Sequence, residues 1–177
     1  MATYALHSQE AGLVPIVEPE VLLDGAHSFA RCEKVVEEAL TAVFAELKRA
    51  GVLLEGLLLK TSMVLPGKDS GEQKNLREVA EATVRVLLRA VPKEVAGIVF
   101  LSGGQTSTEA TERLNEIVKV AQAQNTPWPL TFSFSRALQD KVMALWRGDD
   151  EHTQAAQDLF RTRVRETSAA AAGKYTG

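Results

Sequence analysis

Residues Leu53–Val64 read LLEGLLLKTSMV, three consecutive leucines running straight into a cation, Lys60. The run is short, opens at Gly56 and has the length of a strand rather than of a helix. Taking an ammonium group out of water is costly unless it is paired. Lys60 must therefore be ion-paired, extended toward water, neutral or reactive.

Working outward, three similar runs recur: LVPIV (Leu13–Val17), GIVFL (Gly97–Leu101) and LTFSF (Leu130–Phe134). The runs at Gly56–Lys60 and Gly97–Leu101 are continuously apolar, as strands covered on both faces must be. The last alternates more, which suits a strand with one face on a polar interior. Pro15 weakens the first, because it removes a ladder donor.

Helical spacing fills the gaps. Cys32, Val35, Val36, Ala39, Leu40, Val43, Phe44 and Leu47 form one stripe, and Leu76, Val79, Ala80, Thr83, Val84, Leu87, Leu88 and Val91 a second, stopped by Pro92. A third carries Ala110, Leu114, Ile117, Val118 and Ala121, opened by the capping box Thr106–Glu109. Further helices are expected at Ala137–Trp146 and Thr153–Thr167, and MATYALHSQEAG reads as a helix stopped by Gly12. Strand and helix alternate in βα-sized units, so the sheet should be parallel. Four units make either a small open α/β sheet or half of an eightfold barrel.

Composition excludes several classes. The 177 residues are 45% apolar and 24% charged with a net charge of −3, and the basic residues are scattered, so nucleic acid has no electrostatic footprint here. No apolar run reaches the roughly 20 residues of a membrane helix. The opening lacks the basic and apolar regions of a signal peptide. The lone cysteine, Cys32, rules out an internal disulfide and reads as a small buried hydrophobe on its stripe. His7, His27 and His152 form no metal cluster, Asp149–Glu151 reads as a solvated helix start, and Trp128 and Trp146 as packing residues.

In parallel α/β folds ligands bind beyond the carboxyl ends of the strands. Those ends hold Glu18 and Glu20, then Lys60, then Ser102, Gly103 and Gly104, then Ser133, Ser135 and Arg136. Lys60 has two readings: a structural lysine paired with an acid, or a nucleophile whose neutral form attacks a carbonyl, favoured by burial among leucines. An acid one strand away would shuttle protons as the carbinolamine loses water, which favours the Schiff-base reading. Glu18 and Glu20 read equally as loop carboxylates. The glycines after the third strand let amides approach an anion, or simply make a tight turn. Arg136 has the fork to grip phosphate, or is an ordinary surface arginine.

The blocks GLVPIVEPE, EGLLLKTSMV, GIVFLSGGQ and LTFSFSRALQ, closing with GKYTG, resemble the class I fructose-bisphosphate aldolases in order and interval. The resemblance implies an α/β eightfold βα (TIM) barrel of which residues 1–167 are the carboxyl-terminal half, with 168–177 a poorly ordered tail. It implies metal-free and cofactor-free cleavage of fructose 1,6-bisphosphate through a lysine Schiff base, in glycolysis or gluconeogenesis. Carried over by motif, Lys60 is the nucleophile, Glu18 the general acid/base and Glu20 its polar neighbour. Ser102, Gly103, Gly104 and Arg136 hold the ketose-side phosphate, with Ser133 and Ser135 lining the substrate site.

This chain carries Thr61 where the family commonly has proline, Ser62 where asparagine is frequent, and Ser135 where Gly or Ala is usual. The resemblance further implies a chain roughly twice as long, so that the partner expected here is the amino-terminal half of the barrel, with a homotetramer once complete and no nucleic acid or membrane. The expectation is therefore a fragment with little turnover alone, cytoplasmic, with the plastid as the alternative. The rivals are a non-catalytic aldolase-derived binding module and, more weakly, a transaldolase-like Schiff-base barrel.

Overall fold

The computed structural model describes all of residues 1–177. A first helix, α1 (Ala2–Glu10), ends where Gly12 takes a positive φ of 75°. Four βα units follow: β1 (Ile16–Val17) with α2 (Phe29–Arg49), β2 (Leu58–Thr61) with α3 (Leu76–Ala90), β3 (Gly97–Phe100) with α4 (Ser107–Ala123), and β4 (Leu130–Phe132) with α5 (Arg136–Trp146). A final helix, α6 (Thr153–Ala171), completes the chain. The strands are all parallel and lie in sequence order β1-β2-β3-β4. No helix is long and apolar enough to cross a membrane.

Pro15 limits the first strand rather than abolishing it. The strand starts one residue later, and the Pro15 carbonyl accepts the Leu58 amide at 3.0 Å, so the missing donor falls outside the ladder. Local chemistry sets the helix starts. Ser28 caps α2, and the expected box of Thr106 and Glu109 opens α4. A second box, Asn75 with Glu78, opens α3.

Register decides what each strand residue faces. Val17, Leu59, Ile98 and Leu130 align across the sheet, as do Thr61, Phe100 and Phe132 one step further on. This face carries the core: Leu57, Leu59, Ile98 and Phe100 are fully buried together with Val36, Leu40 and Leu47 of α2 and Leu114 and Ile117 of α4. The other face holds Leu58, Lys60, Val99 and Thr131, and Thr131 is exposed on it. Only β3 is buried at every residue; β2 alternates. The sheet is therefore helix-covered on one side, with β1 and β4 as its two edges.

The carboxyl-terminal residues bond back to α4. Helix α6 continues to Ala171 with Ala170 buried, and Asn115 of α4 exchanges two hydrogen bonds with the backbone of Tyr175, at 3.0 and 3.2 Å. An alanine-rich segment looks featureless in sequence, but its small side chains allow close approach to α4.

Arg85 of α3 grips Glu33 of α2 through two hydrogen bonds, at 2.7 and 3.0 Å. Its guanidinium holds the Glu33 carboxyl below the usual carboxylate range, with Arg89 adding a smaller attraction. A depressed carboxyl stabilises the fold above its unfolded-state value, about 4.3, and that contribution disappears as pH falls through the folded value. Glu33→Gln is expected to cost about 0.5–1 kcal/mol at neutral pH. Urea unfolding at pH 7 and at successively lower pH checks this: the difference between variant and parent should shrink as pH falls below the ordinary carboxylate range.

Candidate active site

Each site residue sits where its strand ends. Glu18 directly follows β1, and Lys60 is the third residue of β2. The parity of neighbouring parallel strands brings the two onto the same, helix-free face, and Lys60 Nζ lies 2.9 Å from Glu18 Oε1. The Lys60 side chain keeps 20% of its surface and that of Glu18 43%, so the pair lies at a boundary between protein and solvent. The expectation that leucines bury Lys60 needs correction. Leu57 and Leu59 point to the helix-covered side, and only Leu58 shares the lysine's face. The apolar run anchors the strand, and its last cation turns the other way.

The three departures from the family pattern also have places. Thr61 is buried among the core residues, in register with Phe100, so it does not enter the site. The Ser62 hydroxyl accepts the Val21 amide at 3.3 Å and so ties the end of β2 to the loop that carries Glu18 and Glu20. Ser135 is exposed before α5, with its hydroxyl 3.3 Å from the Gln139 side chain.

Ser102, Gly103 and Gly104 follow β3, the strand next to Lys60. Both glycines need positive φ, 51° and 78°, a conformation that side-chain-bearing residues resist. The turn closes through the Gln105 amide on the Ser102 carbonyl at 2.9 Å, whereas the amides of Ser102, Gly103 and Gly104 take part in no hydrogen bond within the chain. Helix α4 starts three residues beyond Gly104, adding partial positive charge. Glu20 comes close on the other side: a Cβ at Gly103 would lie 3.9 Å from its Oε1. One strand further, Ser133 donates its amide to Phe100 at 2.8 Å, and Arg136 is exposed in the first turn of α5 with no ion-pair partner. The structure thus brings Glu18 and Lys60 into direct contact, and places the glycine turn and Arg136 on the next two strand ends.

Several supports escaped sequence reading. The Gln105 side chain donates its Nε2 to the Met63 sulfur at 3.7 Å and accepts from Arg113 at its Oε1 at 2.9 Å, which braces the turn against the loop after β2. Buried Arg163 of α6 donates to the Ser107 carbonyl at 3.0 Å and the Thr111 hydroxyl at 2.8 Å, fixing the first turns of α4. Gln105 had a signal in the SGGQ block; Arg163 had none, since a helix arginine is by default a surface residue. Finally, Lys68 extends its ammonium over Gly104.

Comparison with known proteins gives the family and the backbone match. A sequence model described as "Glycolytic: Fructose-bisphosphate aldolase class-I" matches residues 1–177. Fructose-bisphosphate aldolase 5, cytosolic, of Arabidopsis thaliana is 51% identical over 177 residues, covering 100% of this chain and 49% of that protein. A probable fructose-bisphosphate aldolase class 1 of Xanthomonas axonopodis is 47% identical, covering 100% and 52%. Among solved structures, fructose-bisphosphate aldolase from Plasmodium falciparum, crystallised with TRAP and a small-molecule inhibitor, superposes with a TM-score of 0.95 at 44% identity, over 99% of this chain and 50% of that one. The chain spans about half the length of the curated relatives it matches, and its four parallel units correspond to half of their TIM barrel. With sequence and backbone agreeing over its whole length, this chain belongs to the class I fructose-bisphosphate aldolase family.

Proposed function

We propose that this chain supplies the Schiff-base half of an aldolase that cleaves fructose 1,6-bisphosphate to dihydroxyacetone phosphate and glyceraldehyde 3-phosphate. The observation that carries the reading is the contact of Lys60 with Glu18 at 2.9 Å, next to a glycine turn whose amides have no acceptor in the chain. In this reading the Glu18 carboxylate takes a proton from the Lys60 ammonium, and the neutral amine attacks the ketone carbon. A carbon–nitrogen bond forms, a proton passes from the nitrogen to the former carbonyl oxygen, a second proton from Glu18 lets that oxygen leave as water, and a protonated imine remains. That cation is the electron sink for breaking the carbon–carbon bond one carbon beyond the imine carbon, whose electron pair becomes the enamine.

The ketose-side phosphate sits at the Ser102–Gly104 amides. Arg136 supplies a fork from the neighbouring strand end, and Ser133 and Ser135 line the approach. Glu20, close to Gly103, keeps Glu18 and the turn in a polar setting. The remaining strands of the barrel close the two sheet edges and cover the helix-free face. The completed barrel then assembles as a family-like homotetramer; its place in the cytosol follows the name of the Arabidopsis relative, which is called cytosolic. Turnover by the 177 residues alone is expected to be slight.

Borohydride reduction in the presence of dihydroxyacetone phosphate tests the reading. Peptide mass spectrometry should find the reduced adduct on Lys60. An adduct confined to other lysines would refute the assignment and favour a non-catalytic role.

A further inference from the structure

Lys68 stands in the loop after β2, outside the residues that the family blocks assign to the site. Its backbone is held: the Lys68 amide donates to the Leu23 carbonyl at 2.8 Å, between the bonds that Gly67 makes to His27 and Asp69 to Gly25. Its side chain crosses to the β3 loop. A Cβ built on Gly104 would meet Lys68 Nζ at 2.9 Å and Cε at 3.5 Å, so the ammonium rests directly on that glycine. Of the carboxylates around it, only Asp24 comes within ion-pair distance, at 3.9 Å and largely exposed, a loose surface pair that contributes little, while Glu72 and Glu109 line the same cleft without pairing to it. Lys68 itself keeps 51% of its surface, and it borders a cleft of about 410 Å³ shared with Gly104, Gln105 and Arg113. Arg113 and Lys74, which also line that cleft, are engaged elsewhere, Arg113 on Glu109 and Gln105, Lys74 on Glu78 and the Phe29 ring. Lys68 is the cation left uncommitted beside the glycine turn.

We infer that Lys68 is a further specificity residue of the site, a second cation that selects phosphorylated over unphosphorylated ketones at the Ser102–Gly104 turn. The inference rests on the proposed Schiff-base reading and adds to it. Neutral amides recognise an anion by direction, but they bring little net charge. A flexible ammonium lying on the same turn adds a full charge within a few ångströms, where partial shielding by protein leaves the attraction stronger than in bulk water. Gly104 is then needed twice, once for its positive φ and once because any side chain would displace the amine.

The test compares borohydride trapping at Lys60 with dihydroxyacetone phosphate and with dihydroxyacetone, in the parent chain, Lys68→Ala and Lys68→Arg. Lys68→Ala should raise the ratio of half-saturating concentrations, phosphorylated over unphosphorylated, by about tenfold, the size expected for losing one charge-assisted contact. Lys68→Arg should restore most of it. A ratio within twofold of the parent in Lys68→Ala, with Lys60 still labelled, overturns the inference alone. A parent chain that labels with neither ketone overturns the Schiff-base reading and the role of Lys68 with it.

Discussion

Lys60→Met is expected to abolish the borohydride-stable adduct with dihydroxyacetone phosphate, while leaving the fold in place. Methionine retains the length of the side chain on the helix-free face but has no nitrogen to form the imine, so nothing replaces the lost chemistry. Lys60 is only partly buried and makes its one ion pair with Glu18, itself partly exposed, so neither side chain is part of the apolar core. Glu18→Gln separates nucleophile from proton shuttle. It leaves the amine available but cannot accept or return a proton, and labelling should slow by about 10²- to 10³-fold. Quantifying adduct formation against time, with circular dichroism to confirm folding, distinguishes these outcomes. Parent-like labelling of another lysine in Lys60→Met would refute the assignment, and an unchanged rate in Glu18→Gln would remove Glu18 from the mechanism.

Gly67→Ala should produce the largest loss of stability from the smallest change. Its Cβ would fall 2.2 Å from the Gly25 carbonyl oxygen and 2.9 Å from the Gly25 carbonyl carbon, so one backbone must move away from another. The same approach carries three backbone hydrogen bonds, Gly67 to His27 at 2.9 Å, Lys68 to Leu23 at 2.8 Å and Asp69 to Gly25 at 3.0 Å. Separating the loops strains or breaks these, and the expected cost is about 2–4 kcal/mol. Urea denaturation measures it, and a change below about 0.5 kcal/mol would show that the loops part without penalty. The stitched loops carry Glu20 at one end and Lys68 at the other, so the variant should also weaken trapping of the phosphorylated ketone.

Much of this architecture was visible before folding was considered. The stripe from Cys32 to Leu47 and the box of Thr106 and Glu109 are local patterns, and local patterns report burial and capping without knowledge of distant residues. Strand order followed because short βα units leave little choice but parallel neighbours. The chemistry-bearing residues stood out because every strand in such a sheet ends on the same side. Lys60 marks where the local pattern stops being informative. Its leucine neighbours suggested a dry environment, yet side chains alternate along a strand, and which parity meets the helices depends on register with β1 and β3.

Composition, periodicity and motif spacing alone established an α/β chain with acids, a lysine, a glycine turn and an arginine at successive strand ends. Folding in three dimensions added the contacts that make those groups a site: Glu18 on Lys60, Gly67 against Gly25, Lys68 over Gly104, and Arg163 beneath the start of α4. The reason is physical. Helix and strand patterns are written within a few residues, whereas a partner 56 positions away, such as Ser107 for Arg163, is selected only when packing brings the two chain segments together.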